Sequence, residues 1–427
     1  MDLSSHSISR EERRCVGCVA CSKACPTKAI RVRDDLMAVN PALCIDCGEC
    51  IRVCPYDAVR ARTSSPSDLK KYKYTIAIPS STVYSQFGRD TTPEQVAGAL
   101  LARGFDAVYD GTWISPMVSS AVDSYLAECE GPWPKISVTC PAIIRLILIR
   151  YPDLVPHLIP IHTPRELKAK TARRRFALTM GLPPEAIGIF YITPCSAIME
   201  SIVRPVGLQE SNFDGAFSVA ELYGDMLRAV RAGLTAPVDA GFDPRGLLWA
   251  ASGGESQGMR NLNTLAVSGV KDVTSVFDSI ESGKFQNIDF LEAYICPDGC
   301  VSGQLLIEGR YAARHTLQRV VAQMTGHQPI GEEKVWSLFR EHFFDMESEI
   351  KAPAIKHVAG DLQQAILRRQ AKMRMVEQLP HKDCAACGAP DCATLAEDIV
   401  DGHADLTACL FLKLKQRDPL PEGSQHE

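Results

Sequence analysis

The chain has 427 residues, which is too long for one ordinary hydrophobic core and favours two to four domains. Hydrophobic residues make up 46% of it and charged residues 23%, a balance typical of water-soluble globular proteins. The net charge of -5 excludes the basic excess of a nucleic-acid-binding surface, and the polar start MDLSSHSISREERR lacks the apolar stretch of a signal peptide.

Apolar runs and cysteine content together indicate the compartment. The longest aliphatic run, near residues 141–149, is interrupted by Arg145 and is too short to span a bilayer. We therefore expect a cytoplasmic protein without membrane insertion. Because that compartment keeps thiols reduced, the 17 cysteines indicate metal ligation rather than disulfides. Only Cys129 stands outside a recognisable group, and we interpret it as a spare thiol.

Residues 1–62 contain an internal repeat, CVGCVACSKACP followed by CIDCGECIRVCP. The spacing C-x2-C-x2-C-x3-C-P occurs in bacterial two-cluster ferredoxins, in which the fourth cysteine of each run ligates the other cluster. A zinc site needs neither the third cysteine nor the Cys-Pro end. The sequence thus predicts two [4Fe–4S] clusters. Their ligands would be Cys15, Cys18, Cys21 and Cys54 for one, and Cys44, Cys47, Cys50 and Cys25 for the other.

Residues 73–335 are predicted to form an α/β domain within this multidomain chain. TIAIPSST is typical of a strand, PEQVAGALLARG of a helix and FDAVYDG of the next strand, and the alternation continues to VAELYGDMLRAVRAG. Helices between strands predict helix-covered parallel sheets, in which ligands bind beyond the carboxyl ends of the strands. Cys140 and Cys195 both follow strand-like runs, so we expect them at that edge.

The last part of the chain is predicted as a helical connector (336–377), a small iron–sulfur module (378–412) and a flexible tail (413–427). The module has the spacing C-x2-C-x4-C-x16-C, and four thiolates suit either zinc or a cluster. A glycine beside the second ligand lets the backbone pass close to a bulky cofactor, which favours a third [4Fe–4S] cluster. Its ligands would be Cys384, Cys387, Cys392 and Cys409.

Four further cysteines lie in three segments, ISVTCPAIIRLI, YITPCSAIMES and EAYICPDGCVSG. Taken one at a time, each could be a buried core thiol. Together the segments resemble the three cofactor-binding segments of [FeFe]-hydrogenases. The resemblance covers most of residues 73–310 and includes GPWP, FDGAFSVAEL and SGGES. The four cysteines are Cys140, Cys195, Cys296 and Cys300.

The resemblance implies a fourth [4Fe–4S] cluster on these cysteines, with Cys300 also bridging to a diiron subsite that carries CO, CN⁻ and a dithiolate. It makes Cys300, Thr139 and Glu292 the candidate catalytic residues. It also implies an oxygen-sensitive, anaerobic enzyme that interconverts H2 with protons and electrons. The C-terminal module resembles that of the short, sensory branch of the family. Electrons would pass through the clusters to a redox partner such as ferredoxin or a signalling protein.

Two groups of positions depart from the family's pattern. Thr139 stands where the family has a proton-relaying cysteine, and Ser119 and Val122 stand where it has carboxylates. Asp123 and Glu128 remain as candidates for a different proton route.

The second segment departs at two positions. Ile198 replaces a lysine that pairs with a cyanide, and Thr193 replaces a methionine. Such a charge-assisted hydrogen bond contributes roughly 1.5–3 kcal/mol, and groups around the ligands tune a metal centre. These losses favour slow turnover, a modified site or no diiron subsite.

Three functions therefore stay open. One is a hydrogenase-type enzyme of low activity or with an H2-sensing role, and the second is an electron-transfer or regulatory protein without the diiron subsite. The third is an assembly factor resembling the Narf-like relatives, which is disfavoured because those end in an aromatic residue and this chain ends in QHE. No kinase or DNA-binding segment is recognisable, so we expect any signal to pass to another protein. Residues 336–377 leave homodimerisation open.

Overall fold

The computed structural model describes residues 6–238, 242–260, 263–323, 331–352 and 362–417. Within these ranges no helix is both long and apolar enough to cross a membrane. The described chain divides into two compact units. The first comprises residues 6–44, 49–60 and 362–417, and the second comprises residues 45–48 and the described part of 61–352.

The first unit contains the ferredoxin-type runs except residues 45–48, which include Cys47. Its strands are β1 (Ile8–Arg10), β2 (Ile30–Arg33), β3 (Leu36–Val39) and β4 (Val59–Ala61), and the first helices of the chain are α1 (Ala20–Ala24) and α2 (Glu49–Arg52). Strand β2 pairs antiparallel with β3, and β1 pairs with β4. Each short helix carries the third cysteine of a run, Cys21 or Cys50, and buries it.

The second unit is built on two parallel sheets. Its strands are β5 (Tyr74–Pro79), β6 (Ala107–Val108), β7 (Lys135–Ile136), β8 (Ile187–Thr193), β9 (Gly215–Ser218), β10 (Thr264–Ser268) and β11 (Phe290–Tyr294). One sheet has the order β6-β5-β8-β9 and the other the order β10-β11-β7, with all neighbours parallel. Strands β5 and β8 are almost entirely apolar and buried, as strands covered on both faces should be.

Helices cover these sheets. They are α3 (Pro66–Leu69), α4 (Pro93–Leu101), α5 (Ile114–Glu128), α6 (Pro141–Arg150), α7 (Pro164–Met180), α8 (Ser196–Val203), α9 (Val219–Arg231), α10 (Val270–Glu281), α11 (Arg310–Gln323) and α12 (Glu332–Arg340). Local sequence fixes several helix starts; at α4, Thr92 and Gln95 form a capping box around Pro93. The predicted helix-covered parallel sheets are confirmed.

The predicted connector needs correction. Helix α12 ends at Arg340, and residues 341–352 are not helical. Phe344 is fully buried in an apolar core of the second unit, and its carbonyl accepts a hydrogen bond from His162 N–H at 2.7 Å. Burial of this aromatic side chain is why the segment packs on the second unit instead of continuing as a helix.

The C-terminal module packs on the β2–β3 hairpin inside the first unit. Its helices are α13 (Leu362–Glu377), α14 (Cys392–Val400) and α15 (Leu410–Arg417). Val32 N–H donates to the Gly388 carbonyl at 2.8 Å, and Arg31 and Arg33 contact the Asp398 carboxylate at 2.7 and 2.8 Å. Residues 413–417, predicted as tail, instead end α15, and the rest of that tail lies outside the described residues.

Candidate metal centre

The four cysteines of the three segments meet at the carboxyl ends of parallel strands. Cys140 follows β7 and is the N-cap residue of α6, Cys195 follows β8 and is the N-cap residue of α8, and Cys296 follows β11. Cys300 begins a short 3-10 turn that follows Cys296 in the chain. All four line one cavity of the second unit, although β8 belongs to a different sheet from β7 and β11. The structure therefore brings the predicted cage together.

The surroundings of these thiols fit a [4Fe–4S] cluster. Burial raises the pKa of Cys300 well above its usual value, and the charges of Cys195, Cys140 and Cys296 raise it further. Burial also raises the pKa of Cys140, whereas backbone N–H groups that bond to its sulfur, among them that of Ile295, lower it. All these cysteines are free. Four thiols that line one cavity, with backbone N–H groups bonded to Cys140 and Cys195, are a donor set that an iron–sulfur cluster uses.

Gly299 allows the third segment to approach its neighbours. Its φ is +88°, and a Cβ atom there would lie 2.7 Å from the backbone nitrogen of Ser252. A side chain would therefore meet both backbone strain and a steric clash. The glycine places Cys300 at the cavity while Ser252 N–H donates to the Asp298 carbonyl at 3.0 Å.

The cavity continues beyond the four thiols. The volume of the cavity is about 80 Å³, whereas a single water molecule needs roughly 10–15 Å³. Thr139, Tyr191 and Ile198 line this space with Trp249. The predicted catalytic residues Thr139 and Cys300 therefore line one chamber, and its lining extends beyond the four thiols.

Glu292, the third predicted catalytic residue, lies behind the cavity and not in its lining. It is fully buried on β11 and accepts hydrogen bonds from Gly253 N–H at 2.9 Å and from Ser256 N–H and Oγ–H at 2.9 and 2.7 Å. Burial raises its pKa, and the hydrogen bonds from Ser256 and Gly253 lower it. Glu292 thus fixes the position of the SGGES loop. The acidic residue of that loop, Glu255, accepts a hydrogen bond from Thr139 in the cavity wall.

That acidic residue, Glu255, was not a candidate in the sequence analysis. Its Oε2 accepts hydrogen bonds from Ser137 Oγ–H at 2.6 Å and Thr139 Oγ1–H at 3.1 Å. Burial and then the charge of Glu292 raise the pKa of Glu255 to about 8. The SGGES motif is visible in the sequence, but none of its neighbouring residues indicates that this glutamate contacts Thr139, which lies more than 100 residues earlier in the chain.

The other proposed relay positions fall elsewhere. Ser119 Oγ–H donates to the backbone carbonyl of Glu255 at 3.2 Å, and Val122 is a core residue. Asp123 accepts a hydrogen bond from Arg260 N–H at 2.7 Å, and Glu128 is exposed at the end of α5. Neither carboxylate lines the cavity.

Several ferredoxin-type cysteines of the first unit lie close enough for their charges to interact. Burial raises the pKa of Cys50 well above its usual value, and the charges of Cys44 and Cys25 raise it further. Burial likewise raises the pKa of Cys21 to about 11, with further contributions from Cys18 and Cys15. Cys25, the last cysteine of the first run, thus lies beside two ligands of the second run.

Cys47 and the cage belong to the same unit. Cys47 lines the cavity together with Cys140 and packs in the same apolar core. Its segment is held by Asp46, whose backbone carbonyl accepts a hydrogen bond from Ser196 Oγ–H at 2.7 Å and whose carboxylate pairs with Arg145 at 2.7 Å. One predicted ferredoxin-type ligand is therefore adjacent to the four-cysteine cage.

The C-terminal cysteines also share one small core. Burial raises the pKa of Cys387, and the charges of Cys384 and Cys409 add to the effect. Cys392 and Cys409 pack in the same apolar cluster. Cys129, in contrast, lies half-buried at the end of α5 and does not line the cavity, as expected for a spare thiol.

Family models match all three parts of the chain. The model for the iron only hydrogenase large subunit, C-terminal domain, matches residues 73–259 and 246–304, which together make up more than half of the chain. A 4Fe-4S dicluster domain matches residues 7–64, and an Fe-S cluster domain matches residues 379–411. The fold and these matches define an iron–sulfur oxidoreductase. The chain belongs to the iron-only, or [FeFe], hydrogenase family.

Individual relatives are distant. The periplasmic [Fe] hydrogenase large subunit of Nitratidesulfovibrio vulgaris is 26% identical over 361 residues, which cover 70% of this chain and 86% of that protein. Iron hydrogenase 1 of Clostridium pasteurianum is 22% identical over 51% of this chain and 46% of its own length. The structure of an apo [FeFe]-hydrogenase variant from Chlamydomonas reinhardtii superposes with a TM-score of 0.52 at 15% identity. That match covers 67% of this chain and 98% of the other.

Proposed function

We propose that this protein is an [FeFe]-hydrogenase-type enzyme that interconverts H2 with protons and electrons, at a low rate or as an H2 sensor. The observation that carries the proposal is that the cavity of the four cysteines, the chamber, is also lined by residues that cannot ligate the cluster, Thr139 and Trp249 among them, so its lining extends past the cage. A protein that only stored and passed electrons would need the cage but no space next to it. A diiron group held through Cys300 would supply the chemistry of H2 cleavage.

The residues around this chamber can exchange protons. Thr139 Oγ1 lies between the cavity and Glu255, to which it donates its hydroxyl hydrogen. With a pKa near 8, Glu255 can both hold and release a proton close to neutral pH. Glu292 and the hydroxyl of Ser256 lie behind it, and Gln257 is exposed at the surface. This order of groups replaces the relay whose cysteine and carboxylates are missing here.

Electrons would leave through the iron–sulfur clusters. Cys47 lies beside the cage in the second unit, which supports transfer from the cage to the ferredoxin-type clusters. In the first unit, the clamp of Arg31 and Arg33 on Asp398 holds the C-terminal module against β2. We therefore place the C-terminal cluster after the ferredoxin pair. A ferredoxin or a signalling protein would be the external redox partner.

The competing function is an electron-transfer or regulatory protein without the diiron group. Ile198 favours it, because the lysine of the family's second segment is missing at the cavity wall. An infrared spectrum separates the two functions. The protein is matured without oxygen, either with the hydrogenase assembly machinery or with a synthetic diiron precursor, and the CO and CN⁻ stretching region is recorded.

CO and CN⁻ bands that shift under H2 would support the hydrogenase function. A matched sample of C300S, loaded in the same way, should lose these bands because the bridging thiolate is missing. If the wild-type spectrum is blank while iron analysis shows filled [4Fe–4S] sites, the hydrogenase function is refuted and the electron-transfer function remains.

A further inference from the structure

A buried lysine lines the same cavity as the cysteine cage. Lys168 lies on α7, is only 5% exposed and lines the cavity. Burial lowers its pKa, and the charge of Asp110 opposes that effect; none of the four cage cysteines contributes. The charges of the cage cysteines therefore do not stabilise the ammonium group of Lys168.

Asp110 does not form an ion pair with Lys168 either. The Asp110 carboxylate accepts hydrogen bonds from the Tyr84 hydroxyl and from Thr112 N–H. Within the ranges that the structure describes, neither an ion pair nor a hydrogen bond of Lys168 is found. A buried ammonium without a hydrogen-bonded partner is costly, so a negative group inside the cavity would stabilise the charged form of Lys168 beyond what Asp110 does.

The rest of the lining agrees with this requirement. Among the described residues, no aspartate or glutamate lines the cavity, whereas Arg165 lies one helical turn before Lys168 and lines it as well. Arg165 donates to the Thr139 carbonyl at 2.8 Å, and its Nε is buried without a partner. Its charge lowers the pKa of Cys300 and Cys195, which places it at the cage end. The wall formed by α7 thus presents two cations to an interior without acids.

We infer that Lys168 binds an anionic ligand of the metal group in this cavity, and that it supplies from α7 the positive charge that Ile198 on α8 cannot supply. On the proposed function, on which this inference rests, the anion is a cyanide of the diiron group. Lys168 is thereby a binding residue of the hydrogenase site, and the loss of the lysine at position 198 no longer implies loss of the diiron group.

The test compares infrared spectra and melting temperatures of four proteins: wild type, K168M, K170M and the double variant K168M/I198K. All carry their [4Fe–4S] clusters and are incubated without oxygen with a synthetic diiron dithiolate complex that bears CO and two cyanides. K170M is the matched control, because Lys170 is an exposed lysine of the same helix. Iron content before loading shows that each variant has folded.

We expect K168M to retain the complex at least about tenfold less than wild type, as loss of a charge-assisted hydrogen bond predicts. Its residual CN⁻ bands should shift more than its CO bands. Before loading, K168M should melt above wild type because an unpaired buried charge has been removed, and loading should stabilise wild type more than K168M. K170M should match wild type, and K168M/I198K should recover loading.

Equal retention and identical CN⁻ bands in wild type and K168M would overturn the inference while leaving the hydrogenase function intact. An absence of CO and CN⁻ bands in wild type would refute the proposed function, and this inference with it. The conservative variant K168R gives a second test that does not depend on the folding of K168M. It should keep the complex with displaced CN⁻ bands, and unchanged bands would contradict the assignment.

Discussion

Replacing Glu255 by glutamine tests the proton-exchanging group behind Thr139. Glutamine has nearly the same shape, and its amide oxygen can still accept the hydrogen bonds that Ser137 and Thr139 donate to the native carboxylate at 2.6 and 3.1 Å. The change therefore removes a titrating group and leaves the packing in place. Any effect of E255Q reports on the proton and not on the shape of the wall.

The magnitude follows from the pKa of Glu255, which burial and Glu292 raise from 4.5 to about 8. At pH 7 about nine-tenths of the molecules should carry a proton on this carboxyl group. Between pH 4.5 and about pH 8, Glu255 holds a proton in the folded state that it lacks in the unfolded state. The free energy of unfolding therefore falls as the pH rises from 4.5 to about 8. The full shift corresponds to at most about 5 kcal/mol. E255Q should lack this part of the pH dependence.

The assay is difference infrared spectroscopy of the cluster-loaded protein as a function of pH. Wild type should lose the band of a protonated, buried carboxyl group with a midpoint near 8, and E255Q should lack that transition. In diiron-loaded protein, H2-dependent proton exchange should fall by about 10²–10⁴-fold in E255Q. E128Q is the control, because Glu128 is an exposed glutamate on α5 and should behave as wild type.

Two results would refute the reasoning. A transition near pH 8 that persists in E255Q would assign the titrating group to another residue. Unchanged exchange in E255Q, with the diiron bands intact, would show that protons reach Thr139 by a path that does not include Glu255.

Three further expectations concern the clusters and their supports. D398N should weaken the attachment of the C-terminal module to β2, because Asp398 is the buried carboxylate that Arg31 and Arg33 contact. The magnetic interaction between clusters in electron paramagnetic resonance spectra should then weaken while the iron content is retained. G299A should lower the melting temperature more than G104A does; both have positive φ, but only at Gly299 does a new Cβ meet backbone, at 2.7 Å. C409S should lower the iron content by about four atoms per chain without altering any CO or CN⁻ bands; unchanged iron would contradict a cluster there.

The sequence was sufficient to predict candidate ligands for the metal centres, because much of the geometry of such sites is local. In the ferredoxin-type runs three thiols lie within seven residues, so spacing alone brings them to one cluster. The strand pattern also predicted that Cys140 and Cys195 lie at the carboxyl ends of strands, but β7 and β8 belong to different sheets, and only the fold brings those two ends to one cavity. The alternation of strands and helices predicted the parallel sheets for a similar reason, because each strand and each helix is encoded by its own short stretch of sequence.

Only the tertiary structure decided which charges act on the cavity. Glu255, Lys168 and Asp398 look like ordinary charged residues in the sequence, and Asp123 and Glu128 looked equally suited to carry protons. Folding buries Glu255 beside Thr139 and places Lys168 at the cavity, whereas it leaves Glu128 in solvent. Burial and long-range pairing set the protonation and binding properties of a charged group, and neither is encoded in the residues next to it.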